Sequence, residues 1–149
     1  GGHVAAAGFK LKAEDALEFD AYLTEYFSQN EESLRKTYTF DAVLKLDEIN
    51  PMLMKWIAAL EPFGKEFPAL LYCVRGVTVS RKKVMNGGHI RFTFTQGSAK
   101  LDGVVFSPAP AIAAVTENQT VDILVEPQWN YFNGSKTLQL SIRDVVPKL

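Results

Sequence analysis

Six basic side chains, Arg75, Arg81, Lys82, Lys83, Arg91 and Lys100, fall between Phe67 and Leu101 with no Asp or Glu among them. Such a run neutralises a polyanion, the phosphates of a nucleic-acid strand above all. The competing reading is a solvated basic surface and nothing more. A second group, Trp129, Tyr131 and Phe132 with Lys136 close behind, sets aromatic faces beside a cation. Unpaired bases stack on such rings at about 1–3 kcal/mol each. The third group opens the chain: Gly1, Gly2 and His3, followed by Ala5-Ala6-Ala7. Two glycines let a backbone approach an anion closely, small alanines let a helix begin nearby, and His3 adds a side-chain contact. Signals for catalysis are sparse. The two histidines, His3 and His89, lie far apart, and there is no Cys-x-x-Cys, His-x-x-x-His or paired-Asp motif. His89 reads as a strand-start residue, and Cys73, inside an apolar strand, as buried and inert. No complete active site is visible.

The chain's 149 residues are 47% hydrophobic and 22% charged, a soluble globular composition that excludes disorder, collagen and coiled coil. A single cysteine excludes an internal disulfide framework and fits a reducing, cytoplasmic setting. No apolar run approaches the roughly 18 residues of a spanning helix, and no secretory signal opens the sequence, so no membrane role is expected. The net charge of −1 argues, as an average, against binding nucleic acid by bulk charge. The average misleads. Residues 1–50 carry ten acidic and five basic side chains, a balance of −5, whereas residues 51–149 carry eleven basic and seven acidic, a balance of +4.

The elements that must position these groups follow from periodicity. Ala16, Phe19, Leu23, Tyr26 and Phe27 recur at helical spacing within Ala13–Gln29. Tyr38, Phe40, Ala42, Leu44 and Leu46 alternate with mostly polar neighbours, which predicts a strand over Thr37–Asp47. Asn50-Pro51 places a capping residue before a proline at the first helical position; Leu53, Trp56, Ile57 and Leu60 supply that helix's apolar stripe. Strands are then expected at Leu70–Val79, His89–Thr95, Ala99–Phe106, Val121–Phe132 and Lys136–Val145, with a short helix within Ser107–Asn118. Five strands with a helix between the third and fourth is the order of an OB-fold barrel. Such barrels bind oligonucleotides and oligosaccharides on strands two and three and in the loops between strands one and two and between four and five. The first of those loops is expected at Ser80–Gly88, carrying Arg81-Lys82-Lys83. On strand two, Ile90, Phe92 and Phe94 should face the core, and His89, Arg91, Thr93 and Thr95 should face outward. The second loop is a tight turn at Asn133-Gly134. Alternation requires at least one of Trp129, Tyr131 and Phe132 to be core.

Taken together, the elements predict an α+β chain with three parts: residues 1–50, a helix and linker over 51–69, and a barrel over 70–149. The first 50 residues hold too few elements for a core of their own, so the chain reads as a fragment whose N-terminal neighbours are missing.

The run Gly1-Gly2-His3-Val4-Ala5-Ala6-Ala7-Gly8-Phe9 resembles the Gly-Gly-His motif of the DHH-associated domain in RecJ-type single-stranded-DNA exonucleases. The resemblance continues in order through Leu60-Glu61-Pro62-Phe63-Gly64, Gly88-His89-Ile90-Arg91, Leu101-Asp102-Gly103-Val104-Val105-Phe106 and Asn133-Gly134-Ser135-Lys136-Thr137-Leu138-Gln139-Leu140 to Arg143-Asp144. It departs after Phe63, where Gly64-Lys65-Glu66-Phe67-Pro68 replaces the family's usual Gly-x-x-Asn-Pro. The resemblance implies a partial α/β DHH-associated segment followed by a five-stranded OB barrel, within a metal-dependent 5′→3′ exonuclease of DNA repair and recombination. In that family the Asp/His cluster that binds Mg²⁺ or Mn²⁺ lies upstream of the Gly-Gly-His segment. No metal is therefore expected on this chain, which should bind and guide single-stranded DNA as a monomer without cutting it. Residues matching Gly1, Gly2 and His3 hold the nucleotide or scissile phosphate. Arg75, Arg81, Lys82, Lys83, Arg91, Lys100, Trp129, Tyr131 and Lys136 are the expected single-strand contacts. Single-strand-binding or helicase proteins are conceivable partners on which the sequence is silent. Two other readings stand: a DHH-family phosphoesterase of short oligonucleotides or cyclic dinucleotides, against which residues 70–145 count, and a non-catalytic OB module that binds protein or sugar.

Overall fold

A computed structural model describes residues 2–3, 6–29 and 37–148. They divide into two units, Gly1–Tyr38 and Thr39–Leu149. The division thus falls before residue 50, the expected boundary, because Leu46 and Ile49 belong to the core of the second unit. In the first unit, β1 (Gly2–His3) pairs antiparallel with β2 (Ala6–Ala7). Ala6 and Ala7 therefore complete a ladder with His3 and Gly2. A 3₁₀ turn at Ala13–Asp15 leads into α1 (Ala16–Gln29), with Glu14, Asp15 and Glu18 at the positive end of its dipole. Phe9 meets Phe19 edge-on at 4.8 Å, yet no side chain of α1 is buried.

The second unit begins with β3 (Ala42–Leu44), a 3₁₀ turn at Leu46–Glu48 and α2 (Pro51–Ala59). The Asn50 side-chain oxygen accepts from the amides of Met52 and Leu53, the cap that the Asn-Pro pair predicts. Met54 and Ile57 are buried, whereas Trp56 and Leu60 are exposed, so the helix's inward stripe is narrower than its apolar residues imply. The alternation expected over 37–47 holds for burial, but a ladder exists only at Ala42–Leu44, which pairs parallel with Tyr72–Val74. Before Ala42 the partner strand has not begun, and after Leu44 the chain leaves the ladder for the 3₁₀ turn at Leu46–Glu48.

The barrel comprises β4 (Tyr72–Val84), β5 (Ile90–Gln96), β6 (Ala99–Val105), α3 (Pro110–Ala113), β7 (Thr120–Phe132) and β8 (Ser135–Pro147). Neighbours run β4-β5-β6-β8-β7, and β7 closes back onto β4. All barrel pairings are antiparallel except β6 with β8. This is the five-stranded OB barrel with a helix between its third and fourth strands.

Two local devices close it. Strand β4 serves both β5 and β7 by bending at bulges, one of them around Gly76, whose φ of +67° is left-handed and whose amide donates to Asp122 Oδ1 at 2.7 Å. At the parallel seam, a Cβ on Gly103 would lie 2.8 Å from Ile142 Cδ1 and 3.2 Å from Phe94 Cε2, so any larger residue there would have to displace the Ile142 side chain. Phe92, Phe94, Val74, Val77, Val121, Val125 and Leu140 are fully buried and form the barrel's centre. Gln96 fastens the lead-in segment to this barrel: its Oε1 accepts from Leu46 N at 2.8 Å and its Nε2 donates to the Arg75 carbonyl at 2.7 Å.

Candidate nucleic-acid interface

Strand β4 continues to Val84, so Arg81, Lys82 and Lys83 lie on a strand and not in the expected loop. This correction divides them. Arg81 sits directly opposite Thr93, and Lys83 directly opposite Arg91. On β6, Asp102 sits opposite Thr93 and Lys100 opposite Thr95. Cross-strand partners share a face, so Arg81, Lys83, Arg91 and Lys100 all project from the outer surface of the β4-β5-β6 sheet. All four are exposed. None has an ion-pair partner among the described residues. Like charges placed directly across a ladder, as Lys83 and Arg91 are, cost stability unless something anionic joins them.

Lys82 points the other way, with Phe92. Its ammonium donates to the carbonyls of Ala113, at the end of α3, and of Val115 at 2.8 Å. Its amide donates to Glu117 Oε1 at 2.8 Å. The lysine therefore anchors the α3 segment to β4, and it leaves the set of free cations. Arg75 is exposed beside the Gly76 bulge.

The outward face is not wholly as alternation predicts. Phe92 and Phe94 are inward and Arg91 outward, but Thr93 is 6% exposed even though it points to the outer side. Its hydroxyl donates to Asp102 Oδ1 at 2.7 Å. Here the sheet forms one wall of a cleft of about 450 Å³. Arg91, Lys100 and Asp102 line it from the sheet, and Asn130, Thr137 and Gln139 from the β7–β8 hairpin. Asp102, Asn130 and Gln139 line this cleft without being among the contacts expected from the sequence.

The hairpin turns at Asn133 (φ +48°) and Gly134 (φ +74°), the dipeptide that the sequence marks for it. Lys136 sits across from Tyr131, its ammonium 4.3 Å from the Trp129 ring centroid and 5.5 Å from that of Tyr131. Trp129 packs partly against the core, whereas Tyr131 is 70% exposed. Alternation places Trp129 and Tyr131 on the opposite face of β7 from Asn130. The expected contacts therefore form two groups, a basic sheet-and-cleft group and an aromatic hairpin group.

His89 closes the β5–β6 end. Its Nδ1 accepts from the Ser107 amide at 3.2 Å, and its ring meets Phe106 edge-on at 4.9 Å. Cys73 is buried and unbridged. Gly1 lies outside the described residues, and Gly2 and His3 are placed by their backbone alone. Burial pushes the Tyr72 phenol above its ordinary 10.0, and the nearby Asp41 carboxylate adds to the effect.

The family model for the RecJ OB domain matches residues 40–144, and the chain belongs to that family. It is 29% identical over 148 residues to the single-stranded-DNA-specific exonuclease RecJ of Bacillus subtilis (strain 168), covering 97% of this chain and 19% of that protein. The chain thus spans only a minor part of this relative's length. Among solved structures it is similar to RecJ of Thermus thermophilus in complex with Mn²⁺, with a TM-score of 0.58, 19% identity, and 97% of this chain and 21% of that one covered. The same protein in complex with Mg²⁺ gives a TM-score of 0.54 at 18% identity, covering 71% of this chain and 16% of that one. These likenesses establish the fold.

Proposed function

We propose that this chain is part of a cytoplasmic, metal-dependent exonuclease that digests single-stranded DNA 5′→3′ in DNA repair and recombination, and that it binds and guides the strand as a monomer. The observation that carries this reading is the row of unpaired cations, Arg81, Lys83, Arg91 and Lys100, on the outer face of β4, β5 and β6 in a chain of the RecJ OB family. Phosphates of a single strand supply the missing counter-charge, and Arg75 extends the track. Tyr131, backed by Lys136 and Trp129, offers an exposed ring for a base. Gly1, Gly2 and His3 are proposed to hold a nucleotide or phosphate in the parent enzyme.

Divalent metal chemistry does not fit these residues. Among the described residues no three His, Cys, Asp or Glu side chains come together as ligands. In the proposed parent, Mg²⁺ or Mn²⁺ is held by residues beyond this chain, and no hydrolytic step is assigned to it here.

The test is direct. The purified chain should retain labelled single-stranded DNA, prefer it to a duplex, and leave its length unchanged in the presence of Mn²⁺. Progressive shortening would defeat the division of labour. Binding that ignores salt and an Arg81/Lys83/Arg91→Ala exchange would favour a protein- or sugar-binding module instead.

A further inference from the structure

The cleft between the β5–β6 face and the β7–β8 hairpin contains a carboxylate in the middle of a basic surface. Asp102 is flanked in the same cleft by Arg91 and Lys100, yet forms an ion pair with neither among the described residues. A carboxylate that merely balanced those cations would close on one of them. Instead Thr93, buried beneath it, holds Oδ1 at 2.7 Å, which fixes the group's orientation and leaves Oδ2 without a hydrogen bond among the described residues. Across the cleft stand two side-chain amides, Asn130 and the buried Gln139, each with donor and acceptor atoms. The volume of about 450 Å³ lies within the range of small-molecule sites.

This chemistry suits a base edge better than a phosphate. A phosphate beside Asp102 would meet a like charge, whereas an exocyclic amino group would meet an oriented acceptor. Cytosine presents such a donor at N4, and thymine presents an acceptor, O4, at the same position. Unpaired bases of a single strand can turn these edges outward.

Resting on the single-strand reading above, we infer that Asp102 selects the base in this cleft, accepting a hydrogen bond from an exocyclic amino group and so favouring cytosine over thymine. The backbone then passes along Arg81, Lys83 and Arg91, with one base turned inward between sheet and hairpin. Thr93 is the positioning residue. The bound strand has no uniform preference along its length; discrimination is confined to the nucleotide over Asp102.

The probes are short labelled oligo(dC) and oligo(dT), two pyrimidines of equal ring size, titrated against the whole chain by fluorescence anisotropy. Wild type should bind oligo(dC) about tenfold more tightly, the size of one good base contact. Asp102→Asn keeps an oxygen for Thr93 and turns an amide donor into the cleft. It should reverse the preference towards oligo(dT). Asp102→Ala should leave the two affinities equal. Removing a negative charge without any base contact would instead raise both affinities together and leave their ratio unchanged. An unaltered ratio in Asp102→Asn, or equal wild-type affinities, overturns the inference while leaving single-strand binding intact. Failure of wild type to bind either oligonucleotide overturns the single-strand reading and this inference with it.

Discussion

Arg81 and Lys82 are adjacent in sequence and equal in charge, and the structure gives them different work. If Arg81, Lys83, Arg91 and Lys100 each meet a phosphate, log affinity against log salt should have a slope of roughly −2.8, from about −0.7 per contact on a single strand. Arg81→Ala should remove one contact and flatten the slope by about 0.7. Lys82→Ala should leave the slope unchanged, because its ammonium is spent on the Ala113 and Val115 carbonyls. Its cost should appear as stability: hydrogen bonds to a charged group contribute about 1.5–3 kcal/mol, discounted here because Lys82 is half-exposed, so about 1–2 kcal/mol is expected. For a chain of this size that is a Tm lower by several degrees. The assays are anisotropy titrations over a salt series well below Tm, and thermal melts followed by circular dichroism. If Lys82→Ala flattens the slope as Arg81→Ala does, or melts with wild type, the assignment of Lys82 to the scaffold is refuted.

Three further outcomes follow from the geometry. Tyr131→Ala should weaken single-strand binding by about 1–3 kcal/mol with Tm unchanged, since the ring is exposed; unaltered affinity in the same titrations would remove it from the interface. Gly103→Ala should destabilise by about 1–3 kcal/mol, because the added methyl meets Ile142 and Phe94, and a melt superimposable on wild type would show that the seam yields. Tyr72 has a folded pKa above its unfolded 10.0, so the folded state keeps this proton longer; the stability it contributes is intact below pH 10 and falls as pH rises through the folded value. Tyr72→Phe should reduce the alkaline loss of Tm in melts on either side of pH 10, and equal losses in the two proteins would contradict the burial argument.

What could be read from the sequence was what repeats locally. The barrel strands follow from period-two alternation, the α2 cap from Asn50-Pro51, and the hairpin from Asn133-Gly134. The end of β4 did not, because Arg81-Lys82-Lys83 interrupts the apolar alternation just where a bulge between Val79 and Arg81 shifts the register. The carbonyl contacts of Lys82 are invisible to the sequence for a deeper reason. Its partners are backbone carbonyls more than thirty residues away, and a carbonyl leaves no mark in the sequence. Trp56 was assigned inward because helical spacing alone cannot say how wide the contacting face is. Asp102 was visible only as part of a motif. Its place opposite Thr93 depends on the β5–β6 register, which the turn after Gln96 fixes.

The three residues of β3 have a consequence for aggregation. Over Tyr72–Val74, β4 has β7 on one side and β3 on the other, while Asp41 and Leu71 exchange two hydrogen bonds of 2.8 Å that hold β3 in place. A chain trimmed to the barrel at Leu70 would lose that cover, along with the core contributions of Leu46, Ile49, Met54 and Ile57. It would present a free edge flanked by newly exposed apolar surface, a template on which another copy can add as a strand. β3 is therefore an edge guard, and a shortened piece of this unit is expected to stay free of strand-on-strand association only if it keeps the residues from Asp41 onward.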